Sequence, residues 1–388
     1  MFGQLDSVEL PTGITLAGVL SFRMLGLFMI LPVFMLLAAD MPGFTPARAG
    51  LAVGIYGLTQ AALQQPFGWL SDRFGRRRIM VTGLALFATG GVVAAMAETM
   101  GMLIAGRALQ GCGAIAGVAL AFAADHTRAQ YRSVVMAIIG MSIGASFLLS
   151  MMISVPLSTL LGLSGLFWLT AVLGVIGMLL VFTLPAAKVS KEKVLQESGS
   201  SSIVWLFALS VFLLHAVMTL LFVVLPGMLV RQFGFELEHH WQIYVPSMVG
   251  SVILVFPLLR WVSAREKEAN AMPLAFLVLG IALGLMSLGG SLAAMIVCAL
   301  AFFLAFNLLE AAMPSMVSKL TGASGRGQKM GLYTSFQFLG AFAGGLVGGW
   351  LLGFGGEVIT LSAGGALCAF WAVAMLMWFR SADNRQQA

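Results

Sequence analysis

Charge is the scarcest property of this sequence. Of its 388 residues, 9% are Asp, Glu, Lys or Arg, whereas 60% are hydrophobic, and the mean hydropathy is +0.99. So few polar side chains cannot cover the surface of a soluble domain. Apolar runs of about 18 or more residues recur along the whole length, and each is long enough to cross a bilayer as a helix. The composition therefore predicts an all-α polytopic membrane protein, and the lack of strand-type alternation argues against an outer-membrane barrel.

Cysteine is almost as scarce as charge. Cys112, Cys298 and Cys368 all lie in apolar segments and show neither metal-ligand nor disulfide spacing. The chain also lacks HExxH and the phosphate-binding GxxxxGK[ST], which argues against a zinc hydrolase and against a nucleotide-driven pump. No basic patch with interleaved aromatic residues indicates a nucleic-acid partner. We therefore expect no metal, no cofactor, no nucleic acid and no enzymatic activity.

Twelve apolar spans account for most of the chain. They lie near 14–39, 49–70, 79–97, 102–124, 133–156, 165–184, 203–229, 243–262, 272–290, 292–314, 331–354 and 358–379. The one long polar stretch inside the chain, AAKVSKEKVLQESGSSS, separates the first six spans from the last six. The predicted organisation is an N-terminal six-helix half at 1–185, a cytoplasmic linker at 186–202, a C-terminal six-helix half at 203–380 and a cytoplasmic tail at 381–388.

The basic residues predict the orientation of these spans. Of the 21 Lys and Arg residues, 17 fall in the loops and tail that share one side, two (Arg48 and Arg231) fall on the other side, and two (Arg23 and Arg107) lie within spans. Because Lys and Arg accumulate on the cytoplasmic side of membrane proteins, both termini are predicted to be cytoplasmic.

The two halves are related by an internal repeat. LFMILPVFML (27–36) resembles LFVVLPGMLV (221–230), and Pro32 aligns with Pro226 at an offset of 194. The same offset places Thr127, Arg132 and Met136 on Thr321, Arg326 and Met330, and Asp72-Arg73 on Glu266-Lys267. Two parallel six-helix repeats are typical of secondary transporters that bind their substrate between the halves, near the bilayer midplane.

Several stretches also carry a family resemblance. GWLSDRFGRRR (68–78) resembles the loop 2–3 signature of the major facilitator superfamily, and GRALQGCG (106–113) resembles the fourth-helix signature of its proton-coupled antiporters. RMLGLFMILP, GIYGLTQA and FFLAFNLLEAAMPS are similar to the YajR-type branch of drug exporters. The resemblance implies the twelve-helix fold of that superfamily, the proton as coupling ion, a bacterial inner-membrane location and a monomer. The protein that gives the branch its name carries a small soluble C-terminal domain, which we expect this chain to lack.

The charged loop is, by this resemblance, a conformational latch. Its predicted members are Gly68, Asp72, Arg73, Gly75, Arg76, Arg77 and Asp125. Asp72 and Arg76 are four residues apart and so lie on one face of a helical turn. The resemblance directs Asp72 to the start of span 11 near Gly331–Tyr333 and Arg76 to Asp125, which would stabilise the outward-open state. The alternative for Arg77 and Arg78 is that they only enforce topology.

Four ionisable residues lie within spans, where each costs roughly 2.5–3.5 kcal/mol to insert. They are Arg23, Arg107, His215 and Glu310, in spans 1, 4, 7 and 10, which line the cavity in the family resembled. We predict that Glu310, with His215 and Arg107, couples transport to protons, because burial raises the proton affinity of a carboxyl. Glu310 as a static partner of a buried arginine, and His215 as a packing residue, are the alternatives. Arg23 has three possible roles: binding an anionic substrate group, pairing with Glu310, or orienting Gln60 and Gln64.

Polar residues and glycines complete the candidate site. A set of polar residues is predicted to supply hydrogen bonds to the substrate in a cavity otherwise rich in Met and Phe. These polar residues are Arg23, Tyr56, Gln60, Gln64, Tyr244, Asn307, Tyr333 and Gln337. A second set is assigned to helix packing: Gln110, Gly111, Gly113, Gly140 and Gly144. Span 5 keeps the first glycines of the family's antiporter signature and lacks its Gly-Pro, which puts antiport and export direction in doubt.

These observations together predict a proton-coupled antiporter that exports amphipathic small molecules by alternating access. Its expected partners are a small-molecule substrate, protons and the lipid bilayer. Import or export of an anionic metabolite or a sugar is the alternative, and a membrane receptor or enzyme is a remote one.

Overall fold

The computed structural model describes residues 6, 8–185, 202–265, 267–320 and 326–387. Over these residues the regular secondary structure is helical, and they contain no β-strand. The chain divides into two compact units, Met1–Val194 and Leu195–Ala388. The division falls within the predicted linker, of which residues 186–201 lie outside the described part.

In the described residues, the first unit contains seven α-helices and the second contains five. Those of the first are α1 (Glu9–Phe28), α2 (Phe34–Leu37), α3 (Pro46–Phe74), α4 (Arg76–Ala95), α5 (Met100–Gly111), α6 (Ala116–Asp125) and α7 (Arg132–Phe182). Those of the second are α8 (Ser202–Phe233), α9 (Trp241–Ser263), α10 (Glu268–Ser287), α11 (Leu292–Leu320) and α12 (Arg326–Gln387).

Nine helical segments in the described residues are long and apolar enough to cross a membrane. Two of them, α7 and α12, are each two helices joined at a kink, at Gly162 (φ 62°) and at Gly356 (φ 72°). A positive φ is readily adopted only by glycine, so these residues fix where each long helix turns. The two kinks are 194 residues apart, which is the offset of the sequence repeat.

The segment α3 is not among the nine, because its polar residues, including Gln60 and Gln64, lower its hydropathy. With α3 added and each kinked helix counted as two, the helical segments occupy the positions of the twelve predicted spans. The number of membrane crossings and the cytoplasmic placement of the termini stay predictions.

Two predicted spans are interrupted in the first unit. After α1, residues 29–33 form turns that contain Pro32, which has no N–H to continue a helix. Span 4 is split into α5 and α6 at 112–115, within and just after the GRALQGCG motif. Gly113 lies at this break, and a Cβ placed there would strike the carbonyl of Gly83 on α4. The break therefore brings the chain against α4 at a spacing that only glycine permits.

Hydroxyl groups join α1 to α7 inside the first unit. Ser142 Oγ donates to the carbonyl of Ala17 (3.3 Å), and Ser150 Oγ donates to that of Leu25 (3.2 Å). Each pair is 125 residues apart, so the two helices run in the same direction along this contact. Serine suits this position because its small side chain lets helices approach and its hydroxyl bonds across them.

Glycine does the equivalent work in the second unit. A Cβ at Gly340 would strike the backbone of Phe212 on α8, and one at Gly344 would strike that of Ala216. The glycine-rich run of span 11 therefore packs α12 closely on α8 within its own unit. The helix α8 is correspondingly enclosed: 83% of its most apolar stretch is buried, against 33% for α9.

Candidate functional site

A tight turn between α3 and α4 organises the charged loop. Gly75 ends α3 with φ 95° and ψ 133°, and its N–H donates to the carbonyl of Ser71 at 3.1 Å. Non-glycine residues rarely adopt this conformation. The next residue, Arg76, begins α4 and so is held directly beside the last turn of α3.

Arg76 connects three acceptors at this end of the first unit. Its Nη1 lies 3.0 Å from Asp72 Oδ1 and 3.2 Å from Ser71 Oγ, and its Nε donates to the carboxylate of Asp125 at the end of α6. Asp125 is the better enclosed of the two acids, since its side chain is 24% exposed whereas that of Asp72 is 64% exposed. The structure thus brings together three of the predicted latch residues and links α3, α4 and α6 through them.

The other arginines of the loop contact aromatic rings. Arg73 lies over the rings of Trp69 (5.8 Å) and Phe74 (5.5 Å). Arg77 lies 5.4 Å from the ring of Phe182 and donates to the carbonyl of that residue, which ends α7. A cation at a helix C-terminus is favourable because the last carbonyl oxygens there carry partial negative charge.

Two predicted features of the latch, Gly68 and the neighbour of Asp72, are not supported by contacts within the first unit. A Cβ at Gly68 would meet nothing within 4 Å, so this glycine is not required by packing among the described residues. The proposed neighbour of Asp72, at Gly331–Tyr333, belongs to the second unit. That part of the latch stays a prediction.

Two arginines are fully enclosed in the first unit. Arg23 on α1 is 0% exposed and Arg107 on α5 is 1% exposed. The ring of Tyr56 on α3 lies near both, 5.6 Å from the guanidinium carbon of Arg23 and 5.1 Å from that of Arg107. The structure therefore joins a predicted cavity residue, Arg23, and a predicted coupling residue, Arg107, around one aromatic ring.

The two arginines differ in how they are satisfied. Arg107 donates to the carbonyls of Ala52 (3.3 Å) and Val53 (3.5 Å) and to Gln110 Oε1 (2.9 Å). Arg23 donates through Nη2 to Gln60 Oε1, and its Nε and Nη1 find no acceptor among the described residues. Arg107 is thus anchored on α3, whereas Arg23 keeps unused donors.

Glycines allow the close contact between α3 and α5. A Cβ at Gly111 would strike Thr59 Oγ1 and the carbonyl of Tyr56, so only glycine fits there. The same placement at Gly140 or Gly144 meets nothing within 4 Å among the described residues. The packing predicted for those two glycines lies between spans of the two halves, and it stays a prediction.

The ionisable residues of the second unit form a polar cluster. His215 on α8 lies 3.7 Å (Nε2 to Oε2) from Glu310 on α11. The amide nitrogen of Gln337 on α12 lies 2.8 Å from His215 Nε2 and donates to Glu310 Oε1 at 3.2 Å. His215 Nδ1 lies 3.1 Å from the carbonyl of Val211, and it can donate a hydrogen bond to that carbonyl.

The remaining polar residues of this unit flank the cluster. Asn307, one turn before Glu310, donates to Ser251 Oγ at 2.9 Å. Tyr333, one turn before Gln337, is buried, and its hydroxyl has no hydrogen-bond partner among the described residues. Tyr244 on α9 is buried as well. The Glu310 side chain is 36% exposed, while its Oε2 atom is buried and has no hydrogen-bond partner among the described residues.

Two ion pairs were not predicted from the sequence. Glu9, at the start of α1, accepts from the backbone N–H, Nε and Nη2 of Arg128, each at 2.8 Å. These bonds raise the pKa of Arg128. On the other unit, Glu357 accepts from Arg231 (2.6 Å) and Gln232 (2.6 Å). Neither pair could be recognised from the sequence, because the acid and the base of each pair are more than 100 residues apart.

Metal binding has no support in the described residues, where no three His, Cys, Asp or Glu side chains gather as ligands. Two of the repeat matches cannot be fully placed in the second unit, because Glu266 and Thr321 lie outside the described residues.

Comparison with known proteins gives consistent relatives. YajR of Escherichia coli strain K12, an inner membrane transport protein, is 38% identical over 367 residues, which cover 92% of this chain and 80% of YajR. The multidrug resistance protein MdtH of Aeromonas salmonicida strain A449 is 27% identical over 341 residues, covering 84% of this chain and 82% of MdtH. The crystal structure of the nucleoside transporter NupG superposes with a TM-score of 0.74 at 15% identity, covering 96% of this chain and 99% of NupG.

The family itself is shown by a match to a family pattern. The sequence pattern described as Major Facilitator Superfamily matches residues 16–313, well over half of the chain. Together with the YajR relative and the nine apolar segments, this match confirms the predicted family and membrane location. The chain belongs to the Major Facilitator Superfamily: it is an inner-membrane transporter and not an enzyme.

Proposed function

We propose that this transporter is a proton-coupled antiporter that exports amphipathic small molecules by alternating access. The observation that carries the proposal is the cluster of Glu310, His215 and Gln337 in the second unit. The Gln337 amide lies within hydrogen-bond reach of both the His215 imidazole and the Glu310 carboxyl group, which are themselves 3.7 Å apart, and each of the three is on a different apolar helix. Intramembrane groups of this kind are found in proton relays.

The geometry suggests how a proton would act on this cluster. As arranged, the Gln337 amide donates to Glu310 and its nitrogen lies 2.8 Å from His215 Nε2. A proton on His215 Nε2 would face the amide hydrogens of Gln337, so the amide must turn away, and the imidazolium would then pair with Glu310. A proton on Glu310 would remove the charge that holds the amide. In either case the contacts between α8, α11 and α12 change, which is the coupling that an antiporter needs.

The charged loop supports the conformational part of the proposal. Arg76 links the ends of α3, α4 and α6 through ion pairs with Asp72 and Asp125. In the family resembled, the corresponding loop stabilises the outward-open state, and we assign the same role here. The substrate class follows MdtH, which is named a multidrug resistance protein, and the 25 Met and 28 Phe residues suit adaptable apolar binding.

The test is proton-coupled flux in proteoliposomes that contain a pH-sensitive dye. Wild type should move protons when an amphipathic substrate is added, with anionic 1-naphthoate and cationic ethidium tested side by side. Glu310→Gln should reduce this flux at least about tenfold, because it removes the proton acceptor. Glu98→Gln is the matched control, since it makes the same chemical change in an exposed connection. Normal coupled flux in Glu310→Gln would exclude the cluster as the coupling site.

The direction of transport is read from the same vesicles. Export by antiport predicts that protons and dye cross the vesicle membrane in opposite directions, so that the side that loses dye gains protons. Movement of dye and protons in the same direction would overturn antiport and favour import.

A further inference from the structure

We propose that Arg23 is the anchor of a binding site for the carboxylate group of a transported amphipathic molecule. The site lies wholly within the first unit. The inference rests on the proposed transport function and deepens it by assigning the charge of the substrate.

The first reason is that Arg23 has unused donors in an enclosed place. It is 0% exposed, and only its Nη2 has an acceptor, on Gln60. Its Nε and Nη1 have none among the described residues. A buried cation with open donors is unfavourable in the folded protein, and an anion that accepts from it would remove that penalty.

Arg107 provides an internal comparison. It is equally enclosed and lies near the same Tyr56 ring, yet it donates to two backbone carbonyls and to Gln110. Burial alone therefore does not leave an arginine unsatisfied in this unit. Arg107 is built into the helix contact, and Arg23 is left free to bind.

The second reason is the absence of a counter-charge in this unit. Among its described residues, no acidic side chain lies within ion-pair distance of either buried arginine. The acids among the described residues of this unit stand at helix ends or in connections, and they are Asp6, Glu9, Asp40, Asp72, Glu98 and Asp125. The interior thus has two positive charges and no negative one, which selects an anionic ligand over a cationic or neutral one.

The groups around Arg23 fit an amphipathic carboxylate. Gln60 uses its oxygen for Arg23, so its unpartnered Nε2 is a further donor beside the guanidinium. The rings of Tyr56 and Phe87 lie 5.6 and 5.7 Å from the guanidinium carbon. They hold the cation in place and offer apolar surface to the rest of the ligand. Since Arg23 is enclosed in this conformation, access to it requires the opening that alternating access supplies.

The experiment measures binding directly, apart from transport. The purified full chain in lipid nanodiscs is titrated calorimetrically with 1-naphthoate, with the neutral 1-naphthamide and with the cationic 1-naphthylmethylammonium, which share one aromatic frame. We expect naphthoate to bind and Arg23→Gln to weaken it about 10- to 100-fold, the effect of losing a charge-assisted hydrogen bond. Arg23→Lys should keep part of the affinity, and Arg48→Gln, at an exposed arginine, should keep all of it.

Stability separates binding from a structural role. Without ligand, Arg23→Gln should melt at the same temperature as wild type or higher, because it removes an unsatisfied buried charge. A clear loss of thermal stability in Arg23→Gln and Arg23→Lys alike would show that Arg23 holds the fold and would overturn the proposal.

Other outcomes also overturn it. These are equal naphthoate affinity in wild type and Arg23→Gln, naphthamide binding as tightly as naphthoate, and no binding of naphthoate, decanoate or 4-phenylbutyrate to wild type. Binding of chloride or inorganic phosphate alone would show a small-anion site instead. Failure of the proposed function is distinguishable: Arg23-dependent naphthoate binding without proton flux would leave the site standing and remove the antiport.

Discussion

Replacing glycine by alanine should change the thermal stability of the protein in opposite directions at two glycines of the charged loop, Gly68 and Gly75. Gly75 has φ 95°, a conformation that alanine adopts only under strain, whereas Gly68 lies inside the helix α3. A Cβ meets nothing within 4 Å at either position, so steric clashes with other residues do not enter. Gly75→Ala and Gly68→Ala, seven residues apart, therefore measure only the effect of backbone conformation on the free energy of unfolding.

The expected magnitudes follow from backbone energetics. A residue forced into a sparsely populated φ/ψ region costs about 1–3 kcal/mol, so Gly75→Ala should destabilise the first unit by that amount. Alanine replacing glycine in a helix interior gains about 0.5–1 kcal/mol, so Gly68→Ala should stabilise it. Because each kcal/mol shifts the Tm of a unit of this size by about 2–4 °C, the Tm should fall by several degrees for Gly75→Ala and rise by about 1–4 °C for Gly68→Ala.

The assay is thermal unfolding of the purified protein in detergent, followed by the loss of helical circular dichroism. A neutral Gly75→Ala would refute the assigned turn conformation. A destabilising Gly68→Ala would show that this glycine is needed for a close contact that the described residues do not contain.

Three further changes test ion pairs and packing with the same Tm measurement. A double-mutant cycle on Arg76→Ala and Asp125→Ala should give a coupling of about 0.5–1 kcal/mol, the range for partly exposed pairs, and no coupling would contradict the bridge. Gly111→Ala should lower the Tm because its Cβ would strike the backbone of α3, while Gly144→Ala should leave it nearly unchanged; equal effects would count against the α3–α5 contact. Glu9→Gln should lower the Tm because it removes the carboxylate that ties the α6–α7 connection to α1, and an unaltered Tm would show that this pair adds no stability.

Much of the fold could be predicted because hydropathy and repeats are local properties of the chain. The kinks at Gly162 and Gly356 keep the offset of 194 that aligned Pro32 with Pro226. Interruptions within spans were harder to predict. The break between α5 and α6 depends on how closely Gly113 approaches α4, and a hydropathy pattern carries no information on that distance.

The candidate site could likewise be predicted only in part. The residue types that carry chemistry were recognisable, since a charged or polar residue in an apolar span is expensive and therefore conspicuous. Their partners were not. Arg107 was grouped with His215 and Glu310 by type, but it belongs to the first unit, where it is anchored on backbone carbonyls of α3. Glu9 and Arg128 were passed over because each looks ordinary alone.

The sequence by itself determined that this protein is a helical membrane transporter of two similar halves. Each apolar stretch is long and hydrophobic enough to insert into the bilayer as a helix, and the spacing of such stretches shows the repeat. Only the tertiary structure decided which polar groups meet. Arg23 reaches Gln60 across 37 residues, and Gln337 reaches His215 across 122. Such contacts depend on how several helices pack at once, so no local pattern encodes them.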